Sequence, residues 1–346
     1  MKKTILAVLT VALCLILASC ASTSKGSSGP EIHASTFDEF TAAFAAAQAD
    51  PDKDTIILDN DIVWDMTKYN SDLVFEAKAT GLTIDLGGHT ISEVPKNAFD
   101  LVGDSFTLQN GTILGRADNS RYSVNVNYEG TNGLKEQALA HVPAAYDDSD
   151  PVWAKRVIVR NIYATGMLCG YSTMDIKDCE FIGGQYRGLV FQGSSGIVEN
   201  VKAITMEEGA SGGFIAHSYG TVLVKGNCEF KGKFGVYSCQ CSTLSFDEDA
   251  DVKIGAWVTY GIYLEKQGFT TIGKGVTVQP APGRQTFYMN TGSTLVIEKG
   301  AVVLDDTGAE IPAPLTAANI DYKTSVGETD SAWKGAGEVA TWIDNR

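Results

Sequence analysis

Five short segments, each led by a small residue or threonine, recur along the second half of the chain: GLVFQ (188–192), GFIAH (213–217), GVYSC (235–239), GIYLE (261–265) and TFYMN (286–290). Their starts lie 25, 22, 26 and 25 residues apart. After a Gly/Ser-rich turn each is followed by a second strand-like run: SGIV (195–198), GTVLV (220–224), STLSF (242–246), GFTTI (268–272) and STLVI (293–297). A tight turn of Asn, Asp or Gly then leads to a third run, such as VKAIT (201–205), CEFKG (228–232) or DVKIG (251–255). Earlier copies fit the same template at AFDLV (98–102), SFTL (105–108) and TILG (112–115), with two further coils around VIVRNIYA and MDIKDCEFI and a strand–turn–strand at 82–92. Three short strands per repeat cannot bury a core alone. Stacked, each repeat bonds its backbone to the repeats on either side, about 4.8 Å away. A β-sandwich would not hold this three-strand phase over five successive copies.

The expected fold is therefore all-β, a parallel β-helix of about 23-residue coils. On repeat shape rather than any signature motif, residues 55–305 resemble the right-handed β-helix family to which pectate lyases belong. Asn110, Asn161, Asp178, Asn200 and Asn227 recur at the corner between the second and third strands. Asn and Asp tolerate a left-handed backbone there, and stacked they would form a structural ladder. Upstream, Thr36 and Glu39 make a capping box ahead of FTAAFAAAQ. The short amphipathic helix this predicts would close the open N-terminal edge of the solenoid. Residues 306–346, with proline, glycine, Trp333 and Trp342, break the repeat and read as a cap or tail.

The N-terminus reads as an address. Lys2 and Lys3 precede an apolar run of about fourteen residues, right for a signal peptide and short for a membrane span. It ends in Leu17-Ala18-Ser19-Cys20, which resembles the bacterial lipobox. That resemblance implies cleavage after residue 19 and acylation of Cys20. It implies a membrane partner through that lipid and a place in the bacterial cell envelope, at the outer membrane or cell surface. Residues 20–33 are expected to be a tether and 34–305 the β-helix domain. Five further cysteines remain beyond Cys14 and Cys20: Cys169, Cys179, Cys228, Cys239 and Cys241. An odd count without metal-finger spacing points to buried free thiols, with disulfides between adjacent coils as the alternative.

Acids outnumber bases 42 to 27, a formal charge of −15 that becomes −17 once residues 1–19 and their two lysines are removed. Such a surface repels phosphate backbones, so no nucleic-acid partner is expected.

Strand alternation fixes which side chains leave the coil. At the second position after the leading residue these are Asp100, Val190, Ile215, Tyr237, Tyr263 and Tyr288. At the fourth they are Gln192, His217, Cys239, Glu265 and Asn290. Three tyrosines on neighbouring coils predict an exposed aromatic row suited to sugar rings, with Asp100, Gln192 and Asn290 as further ligand-binding candidates. His217 and Glu265 share a row two coils apart, and Arg187 and Arg284 precede their strands where a guanidinium could meet a substrate carboxylate. These four are the candidate catalytic residues.

The long insertion 116–155, with Arg116, Arg121, Tyr122, Asp147, Asp148, Asp150 and Trp153, occupies the position at which loops of the resembled family wall a substrate cleft. Pectate lyases of this fold carry several calcium-binding acids and an arginine base on the exposed sheet. Here that face offers only Asp100 and Glu265, so a calcium-dependent lyase is not supported. Asp147, Asp148 and Asp150, Asp50, Asp52 and Asp54, and the acids of 247–251 read as solvated turns, and no metal or cofactor is expected. Two readings stay open. One is a surface protein that binds carbohydrate or scaffolds. The other is a lyase or glycoside hydrolase acting on an acidic polysaccharide beside the insertion.

Overall fold

The computed structural model describes residues 31–49, 55–119, 121–128, 135–209, 211–290, 292–322 and 339–346. Cys20, the remaining N-terminal features, Asp50, Asp52, Asp54 and Trp333 lie outside the described residues. The chain winds as a right-handed parallel solenoid of about 11 turns. One face is a ten-stranded parallel sheet running from Phe75–Lys78 through Phe99–Val102, Val124–Val126, Met167–Gly170, Leu189–Gln192, Phe214–His217, Val236–Cys239, Ile262–Glu265 and Phe287–Met289 to Ile320–Tyr322. Among the described residues, eighteen further strands form two more faces joined at a corner. Ser195–Thr205 shows the joint: Gly196–Glu199 pairs with Thr221–Lys225, and Lys202–Ile204 with Asn227–Gly232.

The corner is made by the predicted Asn/Asp residues. Asn110, Asn161, Asp178 and Asn200 have φ between 51° and 60°, and their side chains bond along the stack. Asn161 Nδ2 donates to Asn110 Oδ1 at 3.1 Å, and Asn200 Nδ2 to Asp178 Oδ1 at 2.9 Å. Asn227 departs from the expectation. Gly226 takes the left-handed conformation (φ 64°), and Asn227 joins the ladder only through its backbone N–H, which donates to Asn200 Oδ1 at 3.0 Å.

The predicted capping helix, α1, spans Phe37–Ala49. Its box is closed on both sides: Glu39 N–H donates to Thr36 Oγ1 at 3.2 Å and Thr36 N–H to Glu39 Oε2 at 3.1 Å. Phe37, Phe40 and Phe44 lie on one face and cover the end of the core, against Trp64, Phe75 and Phe99. The first coil begins earlier than predicted. Glu31–Ala34 pairs in parallel with Thr55–Leu58, so residues 31–33 belong to the solenoid and not to a tether.

The C-terminal segment also differs from the expectation of a broken repeat. Ile320–Tyr322 pairs in parallel with Phe287–Met289, and Thr341–Asp344 with Thr294–Ile297. An excursion through 305–319 hides this last coil from a repeat search. Trp342 packs against the core and meets Tyr322 edge-on at 5.4 Å. Cys169, Cys179, Cys228 and Cys239 are buried free thiols and Cys241 is a half-buried one. Burial pushes Cys179 up to about 12 and Cys228 to about 11, which makes both poor nucleophiles.

Two substitutions test the end-cap. Phe40 is fully buried, so Phe40→Ala should cost about 3–5 kcal/mol in a denaturant titration. Thr36→Ala, which removes only the box, should cost about 1 kcal/mol.

Candidate functional site

Parallel register places one residue of each strand of the ten-stranded sheet in a single outward row. The row reads Glu76, Asp100, Asn125, Leu168, Val190, Ile215, Tyr237, Tyr263, Tyr288, Asp321. The predicted alternation is therefore correct, but pointing out of the coil is not the same as facing solvent. The row divides into an acidic end, an apolar middle and an aromatic end.

At the aromatic end the rings are spent on one another. Tyr263 and Tyr288 stack with centroids 4.2 Å apart, and Tyr237 meets Tyr263 edge-on at 5.1 Å. Phe234 and Tyr260 flank them. Tyr288 is only 5% exposed. The expected exposed row is thus a packed ridge, because residues on the preceding turns fold over it. Glu265 sits inside the ridge and accepts from the Tyr237 hydroxyl and, at 3.3 Å, from that of Tyr263. Burial, with the Glu265 charge beside them, pushes both phenols well above their ordinary value. Asn290 donates from Nδ2 to the Tyr288 hydroxyl at 3.5 Å, and Arg284 is exposed at the rim.

The apolar middle is a second small core outside the coil. Leu168, Val190 and Ile215 are buried beneath Tyr122 of the insertion, with Tyr128, Tyr186, Phe234 and Tyr237 around them. Arg187 lies over the Tyr186 ring, 4.4 Å from its centroid, and donates to the Tyr122 hydroxyl at 3.3 Å. His217 places Nδ1 2.9 Å from Ser218 Oγ and 3.3 Å from Gln240 Oε1. Burial, together with the Arg187 charge, lowers His217 to about 4, so it is neutral at physiological pH. Arg187 Nε and His217 Nε2 are buried without a hydrogen-bond partner among the described residues. Gln192 donates from Nε2 to the Tyr171 hydroxyl at 3.1 Å.

The four catalytic candidates therefore do not share a site. His217 and Glu265 stand two strands apart with Cys239 in register between them. Arg187 and Arg284 precede strands separated by four spacings, roughly 19 Å. The reason is the rise of the solenoid, which separates any two coils in proportion to the coils between them.

The acidic end opens into a cleft of about 740 Å³ between the sheet and the insertion. Glu76, Thr80, Asp100, Asp104, Tyr128, Gln137, His141 and Tyr171 line it, together with Asn127 and the backbone around Gly103. A recess of about 370 Å³, which includes Lys155, adjoins it and shares Asp104, Asn127 and His141. Gln137 comes from a short helix, α2, Lys135–Ala140.

The insertion is held in place by its own polar groups. Asp150 accepts from the backbone N–H groups of Ala144, Ala145, Val152 and Trp153, at 2.8 to 3.1 Å. Asp148 pairs with Arg156 at 2.7 Å, and Asp147 accepts from Ser149 N–H at 2.9 Å. Thr173 Oγ1 fastens the loop to the sheet by donating to the His141 carbonyl at 2.8 Å. Asn127 ties two coils together: Gly103 N–H donates to its Oδ1 at 2.7 Å, and its Nδ2 donates to the Gly103 carbonyl at 2.8 Å. Among the described residues, no three His, Cys, Asp or Glu side chains are grouped so as to hold a metal ion.

Asp100 is the one predicted candidate inside the cleft. It is 4% exposed and, among the described residues, accepts one hydrogen bond, from Tyr128 N–H at 3.2 Å. Burial, with the Glu76 charge on the adjacent strand adding to it, raises its pKa to about 7. Glu76, Asp104, Gln137, His141 and Tyr171 were not anticipated. Glu76 had a legible signal: Phe75-Glu76-Ala77-Lys78 lies one repeat before Phe99-Asp100-Leu101-Val102, in the same phase.

No protein-family profile, curated protein or solved structure matches the chain.

The Asp100 environment has a pH signature. Its folded pKa, about 7, lies above the ordinary value of 3.8. At pH below both values the group is protonated in either state and costs nothing. As pH rises from about 4 to about 7, the unfolded chain ionises more readily and the folded state loses on the order of a few kcal/mol. The charged groups facing it are Glu76 and Asp104, with His141, which burial holds toward its neutral form, across the cleft. Asp100→Asn should therefore raise the melting temperature by several degrees at pH 8 and leave it nearly unchanged at pH 4.

Proposed function

We propose that this chain is a lipid-anchored protein of the bacterial cell envelope that binds carbohydrate in the cleft between the ten-stranded sheet and the 116–155 insertion. The observation that carries the reading is the make-up of that cleft. Half-buried Tyr128 and Tyr171, which is only 6% exposed, stand beside carboxylates and an amide at Glu76, Asp100, Asp104 and Gln137. A sugar needs this combination: flat apolar surface for its ring faces and planar acceptors and donors for its hydroxyls. The site thus moves from the tyrosine ridge, where the rings are packed together, to the opposite end of the same sheet.

A second reading, glycoside hydrolysis, is favoured by one feature. Glu76 and Asp100 are register neighbours on adjacent strands, so two carboxyl groups leave the sheet side by side. Retaining glycosidases hold their two carboxyl groups about 5–5.5 Å apart, one ionised and one protonated. Asp100, raised toward neutrality, suits the role of proton donor, and Glu76 that of nucleophile. A lyase acting on an acidic polysaccharide finds less support. The cleft carries its own negative charge, and neither Arg187 nor Arg284 lines it.

The anchor rests on Lys2, Lys3, the apolar run and Leu17-Ala18-Ser19-Cys20. Among the described residues no helix is long and apolar enough to cross a membrane.

Two experiments test these readings. Cells expressing the chain and fed labelled palmitate should show a labelled, membrane-associated product, and Cys20→Ser should lose the label. A glycan array probed with the full chain should give saturable binding that Tyr171→Ala weakens at least tenfold. Binding with new reducing ends that vanish in Glu76→Gln establishes hydrolysis. Binding without product establishes a binding protein, and an array without signal rejects the cleft as a carbohydrate site.

A further inference from the structure

Two aspartates are buried among the described residues, Asp100 and Asp150. Asp150 is fully employed, accepting from four backbone N–H groups. The partly buried Asp175 faces two guanidinium groups, Arg156 at 3.3 Å and Arg160. The Asp344 carboxylate meets Arg346 at 2.9 Å. Asp100 has neither arrangement. Oδ1 takes the Tyr128 N–H and Oδ2 has no partner among the described residues, although the side chain is 4% exposed and lines the cleft.

The surroundings deepen the imbalance. Glu76 is the register neighbour of Asp100, and Asp104 lies on the same rim. No lysine or arginine is among the described residues that line the main cleft; Lys155 belongs to the adjoining recess. His141 supplies little positive charge, since burial lowers its pKa. A buried carboxylate is tolerated when a cation or several N–H donors compensate it. No lysine or arginine among the described cleft-lining residues supplies that cation, and the cleft is where a ligand would bring it.

We propose, building on the reading of this cleft as a carbohydrate site, that its ligand is an amino sugar chain with unacylated ammonium groups, one of which sits between the Glu76 and Asp100 carboxylates. Thr80, Gln137 and Asp104 then face the hydroxyls and half-buried Tyr128 a sugar face, with the largely buried Tyr171 walling the cleft beside it. The choice has a chemical consequence. In the free protein near pH 7 Asp100 carries a proton for part of the time. An ammonium beside it favours the carboxylate, so binding expels that proton to solvent and ligand affinity rises with pH through this range.

Calorimetry on the full chain in detergent at pH 7 separates the outcomes. The probes are the glucosamine tetramer, the N-acetylglucosamine tetramer, a galacturonate tetramer and spermidine. The glucosamine tetramer should bind at least tenfold more tightly than the acetylated one. Its binding enthalpy should differ between phosphate and Tris buffers by the release of a fraction of a proton. Asp100→Asn should remove the buffer dependence and weaken binding at least tenfold while melting no lower than the parent protein. Equal binding of the acetylated tetramer, or tighter binding of galacturonate, would overturn the amino-sugar assignment while leaving carbohydrate binding intact. Spermidine binding as tightly as the glucosamine tetramer would overturn the sugar requirement. If no oligosaccharide binds, the underlying carbohydrate reading fails as well.

Discussion

Every coil of this molecule satisfies its backbone through the coils above and below it. Among the described residues, twenty-six parallel pairings tie the strands together. That constraint explains the rest. It forces the hydrophobic side chains into one continuous column. It makes residues in equivalent positions stack, so that a tolerated conformation at one corner is tolerated at every corner. It also leaves two raw ends. At the first of these the chain spends three phenylalanines of α1, Phe37, Phe40 and Phe44, to keep water from the core and other strands from the edge.

The same stacking makes the outward face of the ten-stranded sheet a gradient of environments. The chemistry changes in blocks along the row: carboxylates first, then aliphatic side chains, then phenols, with Asp321 closing it. What covers each zone is supplied from outside the row. Tyr122 and Tyr128 come from the insertion, while Tyr186, Phe234 and Tyr260 come from turns that precede the strands. Among the described residues, a cleft remains between the insertion and the sheet beside Glu76 and Asp100. A repeating scaffold thus carries one local exception, and the candidate site is that exception.

How much of this was legible in the sequence follows from which interactions are local. The repeat, the capping box at Thr36 and Glu39 and the corner at Asn110, Asn161, Asp178 and Asn200 depend on neighbours within one turn or at one repeat spacing, so residue order reveals them. The outward direction of Tyr237, Tyr263 and Tyr288 was legible for the same reason. Their burial was not, because it depends on where Phe234 and Tyr260 lie in space. Glu76 escaped notice because its strand lacks the small leading residue that marks later copies. The last coil escaped because an excursion through 305–319 separates Phe287–Met289 from Ile320–Tyr322. The cleft was only half legible: the insertion marks its place, but the side of Asp100 that stays unsatisfied is a matter of tertiary packing.

The position of the cleft along the solenoid axis has a geographical consequence. Glu31 opens the first coil, and the cleft occupies the turns that follow soon after it, while the tyrosine ridge lies toward the far end. The chain between Cys20 and Glu31 can reach at most about 40 Å even when drawn out fully. In a molecule fastened at Cys20, that reach would keep the first coil, and the cleft a few turns beyond it, nearer the bilayer than the tyrosine ridge can be held. A ligand of such an anchored molecule would then be met within tether's length of the lipid headgroups, on the membrane-proximal coils of the solenoid.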